Sequence, residues 1–132
     1  MRMIRYSTQS IGSDDVEAVK KVLKKDFLTQ GPTNLKFEKK LSKYINCKYT
    51  LAVSNASNAL QLACKVLNID NNSVVWCSSI TFVSSISCAY NLGAKIELLD
   101  IDKRNFNVDL DALEKKLIKS KKTPNLIIVT HL

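Results

Sequence analysis

Chemistry in this chain is concentrated where β-rich runs give way to helical ones. The first such junction is Ser54-Asn55-Ala56-Ser57-Asn58-Ala59-Leu60. Its small side chains let backbone amides approach a ligand closely, and Ser57 or Asn58 can add a hydrogen bond at the positive end of a helix dipole, so a phosphate would fit. The same residues also read as a plain helix cap supplied by Ser54 or Asn55. With no glycine present, the segment is neither a Walker A loop nor GxGxxG. The second junction is Cys77-Ser78-Ser79-Ile80-Thr81-Phe82, which should emerge on the same sheet edge. Phe82 could stack on a planar ring, but an aromatic in a first helical turn more often packs into the core, and local sequence alone favours the core. The acidic run Leu99-Asp100-Ile101-Asp102 is like the carboxylate that holds a ribose hydroxyl in dinucleotide folds. No glycine-rich turn precedes it, which leaves capping or turn duty. His131 is the only histidine and has no Ser, Cys or second His at a recognisable spacing, so neither a triad nor a metal cluster is expected.

The elements that must position these residues follow from periodicity. Asp14 and Asp15 sit in a first helical turn, and Val16, Val19, Val22 and Leu23 recur at helical spacing, which predicts a helix ending near Asp26. The Gly31-Pro32 step demands a loop. From Thr33, read as an N-cap, Phe37, Leu41, Tyr44 and Ile45 mark a second amphipathic helix. Four β-rich runs then alternate with helical stretches: 49–54, 73–77, 95–100 and 125–130, separated by 56–67, 81–92 and 109–119. The runs LAVS, VVWC and LIIV are nearly continuous apolar segments, as strands buried on both faces of a parallel sheet require. The fold class is therefore α/β with a mostly parallel, doubly wound sheet. Only two residues follow the last run, and chemistry gathers beyond strand C-termini in such sheets, so an N-terminal fragment is the expectation.

Composition narrows the function classes. The chain has 132 residues, 45% hydrophobic and 24% charged, as suits one globular domain. Twenty Lys and Arg against twelve Asp and Glu give a net charge of +8, but the lysines are spread along helices without aromatic interleaving. That pattern is a solvated face rather than a nucleic-acid groove, so no nucleic-acid partner is expected. Cys47, Cys64, Cys77 and Cys88 stand 17, 13 and 11 residues apart, which leaves no CxxC pair; mostly apolar surroundings suggest reduced, buried thiols and a cytoplasmic location. The opening MRMIRYSTQSIG lacks an apolar core, and no run of 18 apolar residues occurs, so neither a signal peptide nor a membrane partner is expected.

Taken together, LTQGPTNLKFEKKLSKYINCKYTLAVSNASNALQLA, SSITFVSSISCAYNLGAKIELLDID, and NVDLDALEKKL followed by PNLIIVTHL carry a resemblance that none carries alone. In order and spacing they resemble the N-terminal part of the DegT/DnrJ/EryC1/StrS family, the pyridoxal-phosphate sugar aminotransferases of fold type I. The opening YSTQSIGSDDVEAVKKVLKKDFLTQGP is most similar to the family's branch in pseudaminic acid biosynthesis. The resemblance implies the large domain of that fold, with residues 1–34 an N-terminal helix and a substrate or dimer loop, and residues 35–132 an incomplete cofactor domain.

The resemblance also implies roles. Ala56 and Ser57 stand where the family usually has Gly-Thr gripping the cofactor phosphate; alanine there requires a backbone that is not left-handed. Phe82 falls where the family stacks an aromatic on the pyridine ring, which reverses the core expectation. Thr29, Gly31 and Pro32 match a loop near the sugar-nucleotide site. The family's pyridine-pairing Asp and Schiff-base Lys have no counterpart in these residues, so no catalytic lysine is assigned and the chain alone is expected to be inactive. The implied activity is transfer of an amino group from glutamate to carbon 4 of a UDP-linked 4-keto-6-deoxyhexose by a homodimer. A family sugar dehydratase and a non-catalytic α/β module are the alternatives.

Overall fold

The computed structural model describes residues 7–132 in two compact units, one ending at Ala52 and the other running Val53–Leu132. The first unit contributes helices α1 (Ser13–Leu23) and α2 (Pro32–Tyr44). The Gly12 amide donates to Asp15 Oδ2 at 2.8 Å, and acidic Asp14 and Asp15 at one end with Lys20 and Lys21 at the other match the polarity of the α1 dipole. Neither helix contains a buried residue.

α2 begins one residue before the Thr33 expected from sequence to cap it. Gly31 takes the N-cap position and Pro32 the first helical one, where a fixed φ is pre-organised and a missing N–H costs no hydrogen bond. Gly31 has an ordinary φ of −73°, so conformational freedom is not its purpose. A Cβ there would lie 3.2 Å from the Phe27 carbonyl carbon and collide with the carbonyl oxygen. Gly31→Ala is therefore expected to destabilise this turn by about 1–3 kcal/mol, as forced overpacking does. Hydrogen exchange of the first α2 amides will accelerate accordingly, and unchanged protection would refute the close approach.

The run 49–54, expected to be a strand, has no ladder partner among the described residues. Its backbone bonds side chains instead: the Ala52 amide donates to Glu38 Oε1 at 2.8 Å, and the Tyr49 carbonyl accepts from Cys47 Sγ at 3.1 Å. Apolar β-prone residues form a strand only where a neighbouring strand receives them.

The second unit runs α3 (Ala56–Val66), β1 (Val74–Ser78), α4 (Ser84–Tyr90), β2 (Lys95–Leu99), α5 (Leu110–Lys119) and β3 (Leu126–Ile128). The strands form a parallel sheet in the order β2-β1-β3. Central β1 carries the apolar run VVWCS, and four of its five residues are buried. Register pairs Val75 with Ile96 and Leu126, and this face meets Cys64 of α3 and Cys88 and Ala89 of α4. On the opposite face Trp76 lies in register with Glu97 and Ile127. There Lys116 of α5 sets its Nζ 4.6 Å from the Trp76 ring centroid and 3.3 Å from Glu97 Oε2. Helices thus cover both faces, as the sequence leads one to expect.

Two caps fix where helices begin: Asn55 Oδ1 accepts from the Asn58 amide at 2.9 Å, and Asp109 Oδ1 from the Ala112 amide at 3.0 Å. α4 starts at Ser84 rather than at Thr81, because the Thr81 hydroxyl is engaged with Ser85 Oγ at 2.8 Å and Thr130 Oγ1 at 2.7 Å. Those bonds hold the preceding residues as a turn. No helix among the described residues is long and apolar enough to cross a membrane.

Candidate functional site

In a parallel α/β sheet the strand C-termini are the edge where ligands bind. β1 delivers Ser78 to that edge, and the turn after it carries Thr81, Phe82 and Val83 into α4. The first turn of α3 reaches the same place, because Ser57 Oγ lies 2.6 Å from Ser84 Oγ. The two junctions read from sequence as candidate ligand loops are therefore side by side.

The first turn of α3 offers donors. The Asn58 amide is capped by Asn55, and the Ala59 amide bonds the Asn55 carbonyl at 3.2 Å. The amides of Ala56 and Ser57 have no acceptor among the described residues, as the first two N–H groups of a helix have none within it. Ala56 is not among the residues with positive φ, so the alanine is compatible with its backbone. Asn58 Nδ2 donates to Ser54 Oγ at 2.7 Å, which tethers the loop before the helix. Two free amides, the Ser57 hydroxyl and a helix dipole make a turn that suits an oxyanion.

Phe82 is 73% exposed, so the core-packing expectation fails: the ring stands in solvent at the turn beside Ser84. Cysteines 64, 77 and 88 instead fill space behind this edge. Sequence reasoning missed the hydroxyls that tie the edge together. Thr81 bonds Thr130 across two strand ends, and the Thr130 amide donates to Ser78 Oγ at 3.1 Å. The available signal was the clustering of Ser and Thr at both junctions. Thr29, Gly31 and Pro32 belong to the first unit, where Gly31 is buried and the other two are exposed.

A cleft of about 590 Å³ lies by the end of β3 and the start of α5, lined by Asp102, Arg104, Asp109, Thr130 and His131 among others. Its carboxylates are largely committed: Asp109 caps α5, and Asp102 receives Arg104 Nη2 at 2.6 Å. Turn duty for the acidic run is thus what the structure displays. The Arg104 hydrogen bonds hold the Asp102 carboxyl down at about 2. A folded-state value below the unfolded one of about 3.9 means that the contribution is present above that pH and is lost as pH falls through about 2. Arg104→Ala is expected to return the Asp102 midpoint toward the ordinary value in an NMR titration; an unmoved midpoint would exclude Arg104 as the cause. Among the described residues no group of three or more His, Cys, Asp or Glu could hold a metal ion.

Known proteins resemble this chain in sequence and fold. A UDP-4-amino-4,6-dideoxy-N-acetyl-beta-L-altrosamine transaminase of Campylobacter jejuni is 37% identical over 118 residues, covering 89% of this chain and 31% of the relative. The same enzyme from another strain is 33% identical over 127 residues, covering 96% of this chain and 33% of its own length. Among solved structures, a sugar aminotransferase of Streptococcus pneumoniae in its PMP form superposes with a TM-score of 0.80 at 27% identity, covering 96% of this chain and 31% of that one. A sugar aminotransferase of Micromonospora echinospora gives a TM-score of 0.80 at 26% identity, covering 98% and 34%. The chain spans about a third of the length of the curated relatives it matches. The α/β architecture is that of the large domain of these pyridoxal-phosphate-type enzymes. With residues 9–132 matching the family model, the chain belongs to the DegT/DnrJ/EryC1/StrS aminotransferase family.

Proposed function

We propose that this chain supplies the phosphate grip and ring face of a pyridoxal 5′-phosphate site in a nucleotide-sugar aminotransferase. The observation that carries the reading is the pair of unpartnered amides at Ala56 and Ser57 beside a solvent-exposed Phe82, all at the ligand edge of a parallel sheet. The two amides and the Ser57 hydroxyl would hold the cofactor phosphate, with Ser84 orienting that hydroxyl. Phe82 would lie flat on the pyridine ring and exclude water from that face. Bound there, the cofactor supplies an electron sink for amino-group transfer. Thr29, Gly31 and Pro32 would border the sugar nucleotide in a homodimer.

The substrate reading is a UDP-linked 4-keto-6-deoxyhexose aminated at carbon 4, with glutamate as donor. Its support is the name and similarity of the Campylobacter relatives. No lysine of residues 1–132 is assigned the Schiff-base role, so the chain by itself is expected to bind the cofactor reversibly and to transfer no amino group. The test is pyridoxal phosphate followed by dialysis and borohydride. Absence of a lysine adduct agrees with the reading, whereas a visible absorbance band that survives dialysis and is trapped on one lysine refutes it.

A further inference from the structure

We propose that Cys64 and Cys88 form a peroxide-sensitive dithiol that closes into a disulfide bond between α3 and α4. Their sulfurs lie 3.6 Å apart, already at van der Waals contact, although the two residues come from different helices. Both are buried, at 1% and 5% exposure. Cys88 nonetheless lines a polar groove of about 180 Å³ between α3 and α4, whose walls include Ser57, Asn58, Gln61, Ser84 and Ser87. A groove of that volume lined by hydroxyls and amides admits a molecule the size of hydrogen peroxide. Cys64 does not line it, and neither does Cys77, which is 0% exposed. Cys47 belongs to the other unit and is bonded to Tyr49 and Thr50.

Access therefore makes Cys88 the sulfur that meets the oxidant and Cys64 the one that resolves it. Cys88 attacks one peroxide oxygen: the S–O bond forms, the O–O bond breaks, and the departing hydroxide takes the thiol proton to become water. Cys64 then attacks the sulfenic sulfur: the S–S bond forms, the S–O bond breaks, and a second water leaves with the Cys64 proton. Two thiols and one peroxide thus give a disulfide and two waters, with two electrons passing from sulfur to oxygen. Desolvation by burial, reinforced by Cys88, pushes the Cys64 thiol up to about 11, which suits a group that waits protonated rather than one that reacts first.

The bond would be felt at the ligand edge. Ser57 precedes Cys64 by seven residues and Ser84 precedes Cys88 by four, so on each helix the serine and the cysteine share a face. Closing the sulfurs to about 2.05 Å draws the helices together behind the Ser57–Ser84 hydrogen bond.

The folded chain should be exposed to dilute hydrogen peroxide, quenched by alkylation under denaturing conditions, and mapped by mass spectrometry. The expected product is a peptide pair linked through Cys64 and Cys88, about 2 Da lighter than the two thiols, formed at least ~10-fold faster than oxidation of Cys77. Cys88→Ser should abolish the linkage. Cys64→Ser should leave a sulfenic acid on Cys88 that dimedone traps. If either variant folds poorly, the unsubstituted chain compared with and without urea decides. Linkage formed only in urea, earlier oxidation of Cys77, or bonds only between chains would each overturn the proposal.

Discussion

Trp76→Ala is expected to cost about 3–5 kcal/mol, the range for emptying an aromatic site in a core. The indole is 1% exposed at the centre of β1, with Glu97 and Ile127 in register on either side. Lys116 stands over the ring at 4.6 Å, so truncation also removes a cation–π contact, while Glu97 and the Leu98 carbonyl still hold the ammonium. Against a usual total of about 5–15 kcal/mol, such a loss takes from roughly a fifth to nearly all of the stability. Trp76→Phe separates the causes. The indole Nε1 is buried without a hydrogen-bond partner among the described residues, so removing that donor forfeits no bond and relieves a desolvated group. Phenylalanine still leaves part of the indole's space empty, so it is expected to cost about 1–3 kcal/mol, less than alanine does. Urea melts followed by circular dichroism measure both. Equal losses for the two variants would mean that the indole N–H has a partner and that the description of this face is wrong.

Ser57→Asp is expected to abolish phosphate binding without unfolding the protein. A carboxylate in the first turn of α3 is favourable for the helix, since it faces the positive end of the dipole. The same charge placed about 4 Å from a phosphate costs about 4 kcal/mol at an effective dielectric of 20, roughly a thousandfold in affinity. Ser57→Ala removes only one hydrogen bond to a charged group, and about a tenfold loss is expected. Melting temperature and affinity should therefore move independently. Calorimetry with pyridoxamine 5′-phosphate gives the affinity, and a thermal melt gives the stability. If Ser57→Asp binds as well as the unsubstituted chain, the phosphate is held elsewhere.

The parts of the fold legible in the sequence were those whose cause is local. Asn55 and Asp109 carry the side chains a helix start needs, and α3 and α5 begin directly after them. The run VVWC reads as doubly buried because it has no polar face, and it became the centre of the sheet. What was not legible depends on distant partners. Residues 49–54 have the composition of a strand but no neighbour to pair with among the described residues. Thr81 looks like a helix start until Thr130, 49 residues further along, claims its hydroxyl. The Gly31–Phe27 contact is a matter of backbone approach, which composition does not encode.

The site was legible in the same uneven way. Small residues across 54–60, with Ser57 or Asn58 as donor, suited a ligand turn, but local sequence favoured a plain helix cap, and Ala56 with Ser57 was singled out by the family resemblance alone. Their proximity to the Phe82 turn depends on Ser57 meeting Ser84, 27 residues away, which no local pattern announces. Phe82 shows the limit most sharply. Burial statistics place such a ring in the core, and only family resemblance argued otherwise. Its exposure removes the core reading and leaves the ring face free.

The most direct measurement is a pair of NMR titrations of isotopically labelled chain, one with pyridoxamine 5′-phosphate and one with pyridoxamine, neither of which can attach covalently to a lysine. The account expects the amides of Ala56 and Ser57 and the ring of Phe82 to shift with the phosphorylated ligand, and to respond far more weakly when the phosphate is missing. Equal responses to both ligands, or shifts confined to residues away from the first turn of α3, would contradict it.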